Sequence, residues 1–394
     1  MSASVTLPGA NGALAPYTLR MPHTFDLPAE RPQWNRVALA AAHVVADPLA
    51  GTDPWVDVAI DWEATLAYRR YLWSLGFGVA EAMDTAQRGM GLDWSSSLAL
   101  IRRTLAEARA TPGAVVFSGA GTDHLPPDPA TPLARIIGAY DEQCAAIEAL
   151  GGRIILMASR ALAACARSPD DYREVYARVL SQVREPVVIH WLGEMFDPAL
   201  AGYWTGRAAR DVDHRLAMDV CADVLAAHAS KIDGIKISLL DASKEIELRS
   251  RLPHGVRMYT GDDFNFAALI GGDAAGHSDA LLGIFDAIAP AASAALSALA
   301  RGDRAKFDAI LAPTVPLSRH VFASPTRFYK TGVVFIAWLN GHQSHFTMVG
   351  GQQSARSLVH LAELFRLTDA AGLLQDPERA VARMRTLLAL HGVT

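Results

Sequence analysis

Lys231-Ile232-Asp233-Gly234-Ile235-Lys236-Ile237-Ser238-Leu239-Leu240 sets one lysine inside an apolar, β-branched run. A strand of a helix-covered sheet holds such a segment away from water on both faces. An ammonium that loses solvent without gaining a counter-charge gives up its proton, and the neutral amine left behind is a nucleophile. Lysine is scarce, with five in the chain (Lys231, Lys236, Lys244, Lys306 and Lys330), so surface solvation is a poor general account of Lys236. The ordinary account competes with the chemical one: a strand-end lysine can run its stem to the rim or pair with a carboxylate.

Outward from this stretch a rhythm extends in both directions. Short apolar runs fall at Val37–Val45, Gly78–Met83, Ala114–Ser118, Arg153–Ala158, Pro186–Trp191, Ile232–Ser238, Val256–Thr260 and, weakly, Ala274–Gly283. Between them lie amphipathic patterns at Trp62–Leu75, Ser95–Ala110, Pro132–Leu150, Asp170–Val183, His214–Ala229, Ala242–Leu252 and Phe264–Gly271. Continuous apolar strands alternating with helices specify a parallel sheet, and eight such units specify a (β/α)8 TIM barrel rather than an open sheet. No glycine-rich dinucleotide fingerprint follows the first strand. The expected organisation is an N-terminal arm or lid over 1–35, the barrel over 36–285, and a helical extension over 286–394 packed on it.

Composition bounds the rest. An apolar content of 51% and a mean hydropathy of +0.15 support a large core in this 394-residue chain. A formal charge of -5 and a pI near 6.2 give no electrostatic case for nucleic acid or an anionic membrane. Cys144, Cys165 and Cys221 are widely spaced and lack metal-type pairing, which reads as reduced thiols in a cytoplasmic protein. No signal peptide or membrane span is expected.

A barrel of this kind carries its chemistry at the C-terminal ends of its strands. Those ends supply His43 and Asp47; Glu81, Asp84, Thr85 and Gln87; Ser118 to His124; Ser159 and Arg160; His190, Trp191 and Glu194; Lys236 and Ser238; Thr260, Asp262 and Asp263; and His277 with Ser278. Strand ends also turn polar simply because the chain exits to water.

Several of these segments resemble the dihydrodipicolinate synthase / N-acetylneuraminate lyase superfamily. Gly234-Ile235-Lys236 followed by Gly261-Asp262-Asp263 looks like its sixth-strand lysine and seventh-strand turn. Val115-Val116-Phe117-Ser118-Gly119-Ala120-Gly121, Gly151-Gly152-Arg153-Ile154-Ile155-Leu156-Met157 and Pro186-Val187-Val188-Ile189-His190-Trp191 resemble its third, fourth and fifth strands. The likeness spans roughly residues 36–340. It implies a lyase of class I aldolase type, cytoplasmic, and a homodimer or homotetramer to whose interface the alanine-rich 291–300 segment is suited. Its cofactor requirement would be none, the reaction running through a covalent imine between Lys236 and a small keto acid or sugar-derived carbonyl compound. Two departures mark a divergent branch. The loop after the second strand is Met83-Asp84-Thr85-Ala86-Gln87-Arg88-Gly89, where the family has Gly-Thr-Thr-Gly-Glu. His190 stands where the family has a proton-relaying tyrosine.

On this reading Lys236 is the nucleophile, His190 the first candidate base and Glu194 the second. Asp84, Thr85, Gln87, Ser238, Asp262, Asp263 and His277 are candidate substrate-binding residues. Asp262 and Asp263 read equally well as a turn and helix cap, and Tyr203-Trp204 as a closing loop or as plain packing. His342 and His345 read as surface residues of the helical tail. One alternative is a divalent-metal sugar isomerase or epimerase, with His43, Glu81, Asp84, His190, Asp262, Asp263 and His277 as ligands, though no compact metal motif is present. A second is a barrel that binds without catalysing.

Overall fold

In a computed structural model, which describes residues 3–27, 30–207 and 214–393, each of the eight short apolar runs contributes one parallel strand. After an N-terminal pair, β1 (Ser4–Pro8) and β2 (Leu14–Thr18), come β3 (Ala38–Ala41), β4 (Gly78–Glu81), β5 (Val116–Ala120), β6 (Arg153–Leu156), β7 (Val187–Leu192), β8 (Ile232–Ser238), β9 (Arg257–Thr260) and β10 (Asp279–Leu282). The last eight close a barrel in the order β10-β3-β4-β5-β6-β7-β8-β9. This is a (β/α)8 barrel with C-terminal helices. Side chains alternate across each strand. Leu39, Ala41, Ala80, Phe117, Ile155, Val188, Tyr259 and Leu281 fill the interior as one cluster, while Ala38, Ala40, Ile189, Ile235 and Ile237 pack outward against the helices. Burial on both faces explains why the runs read as continuously apolar rather than alternating.

The barrel helices start where carboxylate and hydroxyl side chains accept the free backbone N–H groups. Asp61 accepts from Ala64 N at 3.0 Å ahead of Trp62–Ser74, and Asp93 from Ser96 N at 2.8 Å ahead of Trp94–Ala110. Ser168 and Asp171 form a capping box on Pro169–Gln182.

The N-terminal segment packs as an arm on the C-terminal helices. β1 and β2 pair antiparallel, and Tyr17 Oη donates to Asp369 at 2.6 Å while Arg366 and Arg385 bond the carbonyls of Pro8 and Ser4. The hairpin is clamped to the C-terminal helices. Farther along, Trp34 meets Phe77 edge-on at 5.0 Å and donates to Ser297 Oγ at 3.0 Å.

After β10 a single helical turn, Ile284–Ala287, leads into Ala289–Ala300, which is buried along nearly its whole length, and Ser293 Oγ donates to the Leu75 carbonyl at 2.8 Å. It completes the eighth β/α unit, so the barrel runs past residue 285. Its alanines are covered within one chain and do not form a free face for a neighbour. Beyond it come Arg304–Leu311, Thr314–Val321, Tyr329–Leu339, Leu358–Ala370 and Pro377–Leu390. The second of these is not marked in the sequence because of Pro316, which sits in the first turn, where a missing N–H costs nothing. Tyr329–Leu339 is buried on every side, as its apolar composition requires. Among the described residues no helix is long and apolar enough to cross a membrane, and all three cysteines are buried free thiols.

One buried carboxyl joins the last strands. Thr260 Oγ1 and Ser278 Oγ bond Glu245 at 2.9 and 2.7 Å. Burial pushes Glu245 up to about 8 against the opposing pull of those hydroxyls. A carboxyl raised above its unfolded value contributes stability at low pH and loses it as pH rises through the folded value. Glu245→Gln is therefore expected to match the parent in thermal unfolding near pH 4 and to melt higher than it near pH 9. Equal shifts at both pH values would contradict the assignment.

Candidate active site

β7 and β8 lie in register with His190 opposite Lys236, and β8 and β9 with Lys236 opposite Tyr259. Because Ile235 and Ile237 pack in the outer core, Lys236 and Ser238 fall on the inner face near the C-terminal end of the barrel. Gly261, just past β9, makes room for them. A Cβ at that position would sit 2.7 Å from Lys236 Cε and closer still to Ser238 Oγ.

Lys236 is buried, and among the described residues no carboxylate forms an ion pair with it. Burial lowers its pKa, while Asp263 and Asp84, acting at longer range, draw it partly back. His190 is fully buried and pushed well below the usual imidazole range by that burial and by Lys236, so it is neutral. Its Nε2 shares a 3.3 Å hydrogen bond with Ser238 Oγ, and its Nδ1 has no partner among the described residues. Asp263 is pushed up to about 7 by burial, opposed by the Ile284 N–H, which donates to it at 2.9 Å, and by Lys236. A neutral imidazole, a desolvated amine and a carboxyl poised near neutrality thus share one end of the barrel. Burial together with mutual charge interactions at one end of a barrel makes these three groups candidates for a functional site.

The loop after β4 adds Asp84, half-buried, and Thr85, whose Oγ1 lies 2.8 Å from Tyr329 Oη. A narrow cavity of about 40 Å³ opens here, lined by Asp84, Arg88, Thr122, Arg160, His190 and Asp197 among others. Arg88 pairs with Asp123 at 2.7 Å and Arg160 with Asp197. Lys330 lies nearby and is pushed down to about 8 by burial, with Asp84 opposing; its Nζ donates to the Arg327 carbonyl at 3.0 Å. A larger cavity, about 740 Å³, lies between C-terminal helices beside Trp338 and Phe346, away from Lys236.

The structure therefore brings together Lys236, His190, Ser238, Asp263, Asp84 and Thr85, and leaves four other expected residues apart. Glu194 is exposed on the loop after β7. Gln87 donates to the Val349 carbonyl at 2.6 Å and fastens its loop to the C-terminal segment. Asp262 accepts from the N–H groups of Phe264 and Asn265 at 2.9 and 3.1 Å, which is the capping role. His277 is exposed and precedes β10, so it lies at the opposite end of the barrel. The weak strand signal over Ala274–Gly283 hid that offset, since the true strand begins at Asp279.

Residues proposed for a metal are dispersed in the same way. His43 Nδ1 bonds Asp286 at 2.8 Å, and Glu81 is bound bidentately by Arg69. Among the described residues no three His, Cys, Asp or Glu side chains are grouped to hold a metal ion. Tyr203 and Trp204 pack into the core on Tyr172 and Tyr176 rather than closing the site. His342 is no surface residue: it lies 4.9 Å from Tyr68 and 4.5 Å from Tyr71, ring to ring. Asp286 and Tyr329 were not anticipated. The available signal was a polar Tyr-Lys pair opening the most apolar helix of the tail.

A family model described as "Protein of unknown function (DUF993)" matches residues 5–393. No curated protein matches the chain. Among solved structures, dihydrodipicolinate synthase from Cyanidioschyzon merolae with lysine bound is similar at a TM-score of 0.63 and 14% identity, covering 87% of this chain and 100% of that one. YagE, a prophage protein of the dihydrodipicolinic acid synthase family from E. coli K12 in complex with pyruvate, gives 0.61 and 16%, covering 91% and 99%. A monomeric dihydrodipicolinate synthase variant gives 0.60 and 15%, covering 86% and 97%. Identities this low establish a shared fold and nothing finer.

Proposed function

We propose, from the premise that the chain belongs to the DUF993 family and carries a dihydrodipicolinate synthase-like barrel, that it is a Schiff-base-forming lyase of class I aldolase type. The observation that carries this reading is a desolvated Lys236 amine in register with a neutral, buried His190. The amine attacks a ketone or aldehyde carbon, the condensation releases one water, and the imine takes up a proton. That cation is an electron sink. The bond between the next two carbons can then break, its electron pair forming an enamine, while the proton of the departing hydroxyl passes to His190. Protonation of the enamine carbon and hydrolysis of the imine release the product and restore the amine.

The cavity favours a substrate rich in hydroxyl groups over one led by a carboxylate. Arg88 and Arg160 already hold Asp123 and Asp197, and Asp84 repels a second anion. Borohydride reduction in the presence of dihydroxyacetone is expected to add the mass of the reduced probe to the peptide containing Lys236, and to label it more fully than pyruvate does. Mass spectrometry of the digest checks this. Labelling spread over the other four lysines, with none on Lys236, would sink the reading.

A further inference from the structure

Tyr329 opens the buried helix Tyr329–Leu339, far in sequence from every barrel strand, yet its hydroxyl reaches the loop after β4 and lies 2.8 Å from Thr85 Oγ1. Phe322 stacks on its ring at 4.4 Å and Phe196 meets it edge-on at 6.1 Å. The ring passes over Gly283, just past β10, where a Cβ would sit 3.1 Å from Tyr329 Cε2 and 3.4 Å from Thr85 Oγ1. Gly261, just past the neighbouring strand β9, makes room for Lys236 in the same way, so two adjacent strands end in glycines, one against the lysine and the other against the tyrosine. Asp84 and Asp263, whose charges act on Lys236, act on Tyr329 as well.

We propose that Tyr329 is the proton-transfer residue that returns a proton to the enamine carbon on Lys236, with Thr85 as its positioning residue. The proposal rests on the Schiff-base reading. In the step, the enamine electron pair forms a C–H bond with the phenolic proton, the nitrogen regains its iminium charge, and the phenolate is reprotonated from water as product leaves. His190, having taken the hydroxyl proton earlier, releases it to solvent, so protons balance over the cycle. Burial holds the phenol in its neutral form, which makes it a donor at rest.

Two readouts separate this role from packing and from the reading beneath it: the borohydride-trapped adduct on Lys236 with dihydroxyacetone, and deuterium uptake from D2O into the α-carbons of that probe. Tyr329→Phe keeps the ring in its notch. It is expected to retain the adduct within about two-fold while uptake falls roughly 10²-fold or more, the scale of a lost general acid. Thr85→Val, which leaves Tyr329 in place without its partner, is expected to lose uptake per trapped adduct by a smaller factor than Tyr329→Phe. Uptake at the wild-type rate in Tyr329→Phe, with loss only in His190→Gln, would overturn the proposal. Absence of any Lys236 adduct in the unmodified protein would instead overturn the Schiff-base reading, and the proposal with it.

Discussion

Lys236→Met is expected to abolish turnover and borohydride labelling while raising the melting temperature. Loss of a covalent nucleophile or its partner costs roughly 10⁴- to 10⁶-fold in turnover, because no other group in the site can form the intermediate. The stability gain has a separate cause. Methionine matches the lysine stem in length and flexibility but carries no group that must shed water, whereas the Lys236 ammonium is buried without an ion pair among the described residues. A strained functional group removed in this way typically returns about 0.5–2 kcal/mol. The pH dependence has a definite sign. A lysine whose folded pKa is lowered destabilises the folded state wherever its unfolded form is protonated, and the cost fades as pH rises toward the unfolded value. The excess stability of the variant is therefore expected to be larger near pH 7 than near pH 10. Lys236→Arg, which keeps a charge but cannot form an imine, is expected to be equally inactive and no more stable than the parent. Calorimetry and turnover on the three proteins check both halves. A fully active Lys236→Met protein would end the imine mechanism.

The same lysine shows what the sequence makes legible. Strands buried on both faces leave continuous apolar runs, so all eight barrel strands and the placement of Lys236 and His190 could be read directly from residue order. Single side chains at strand ends were harder, because a polar residue there can face the cavity, cap a helix or meet solvent with the same local signal. Asp262 and Asp263 are adjacent, yet one caps a turn and the other is buried, accepts from the Ile284 N–H and acts on the lysine at longer range. Gln87 resembles a ligand but spends its amide on Val349. His277 failed for a different reason: the eighth strand is short, and an offset of a few residues moved it to the wrong end of the barrel. Tyr329 and Asp286 depend on tertiary packing between segments remote in sequence, for which hydrophobic periodicity carries no information.

Glu81 is the residue that strand-end reasoning most misplaced, and it carries the largest expected effect on stability. It lies fully buried beside an equally buried Arg69, with Nε to Oε2 and Nη2 to Oε1 both at 2.9 Å. Thr104 Oγ1 and the Ala82 N–H fill its remaining acceptor sites at 2.6 and 2.9 Å. Burial alone would push its carboxyl up. The Arg69 charge and these hydrogen bonds more than offset that, and Glu81 ends below the usual range. Arg69→Leu is therefore expected to cost about 3–5 kcal/mol by leaving one buried charge uncompensated. A carboxylate lowered in this way contributes stability above its unfolded pKa and loses it as pH falls through the folded one. In the variant, Glu81 is free to protonate and relieve its own penalty in acid. The gap between parent and variant should accordingly be wide at pH 8 and narrow toward pH 4. A double variant, Arg69→Leu with Glu81→Leu, removes both charges and is expected to recover most of the loss. Denaturant titrations of the three proteins at the two pH values decide the matter. A single variant as stable as the parent at pH 8 would mean that the pair does not hold the β4 loop, and with it Asp84 and Thr85, in place.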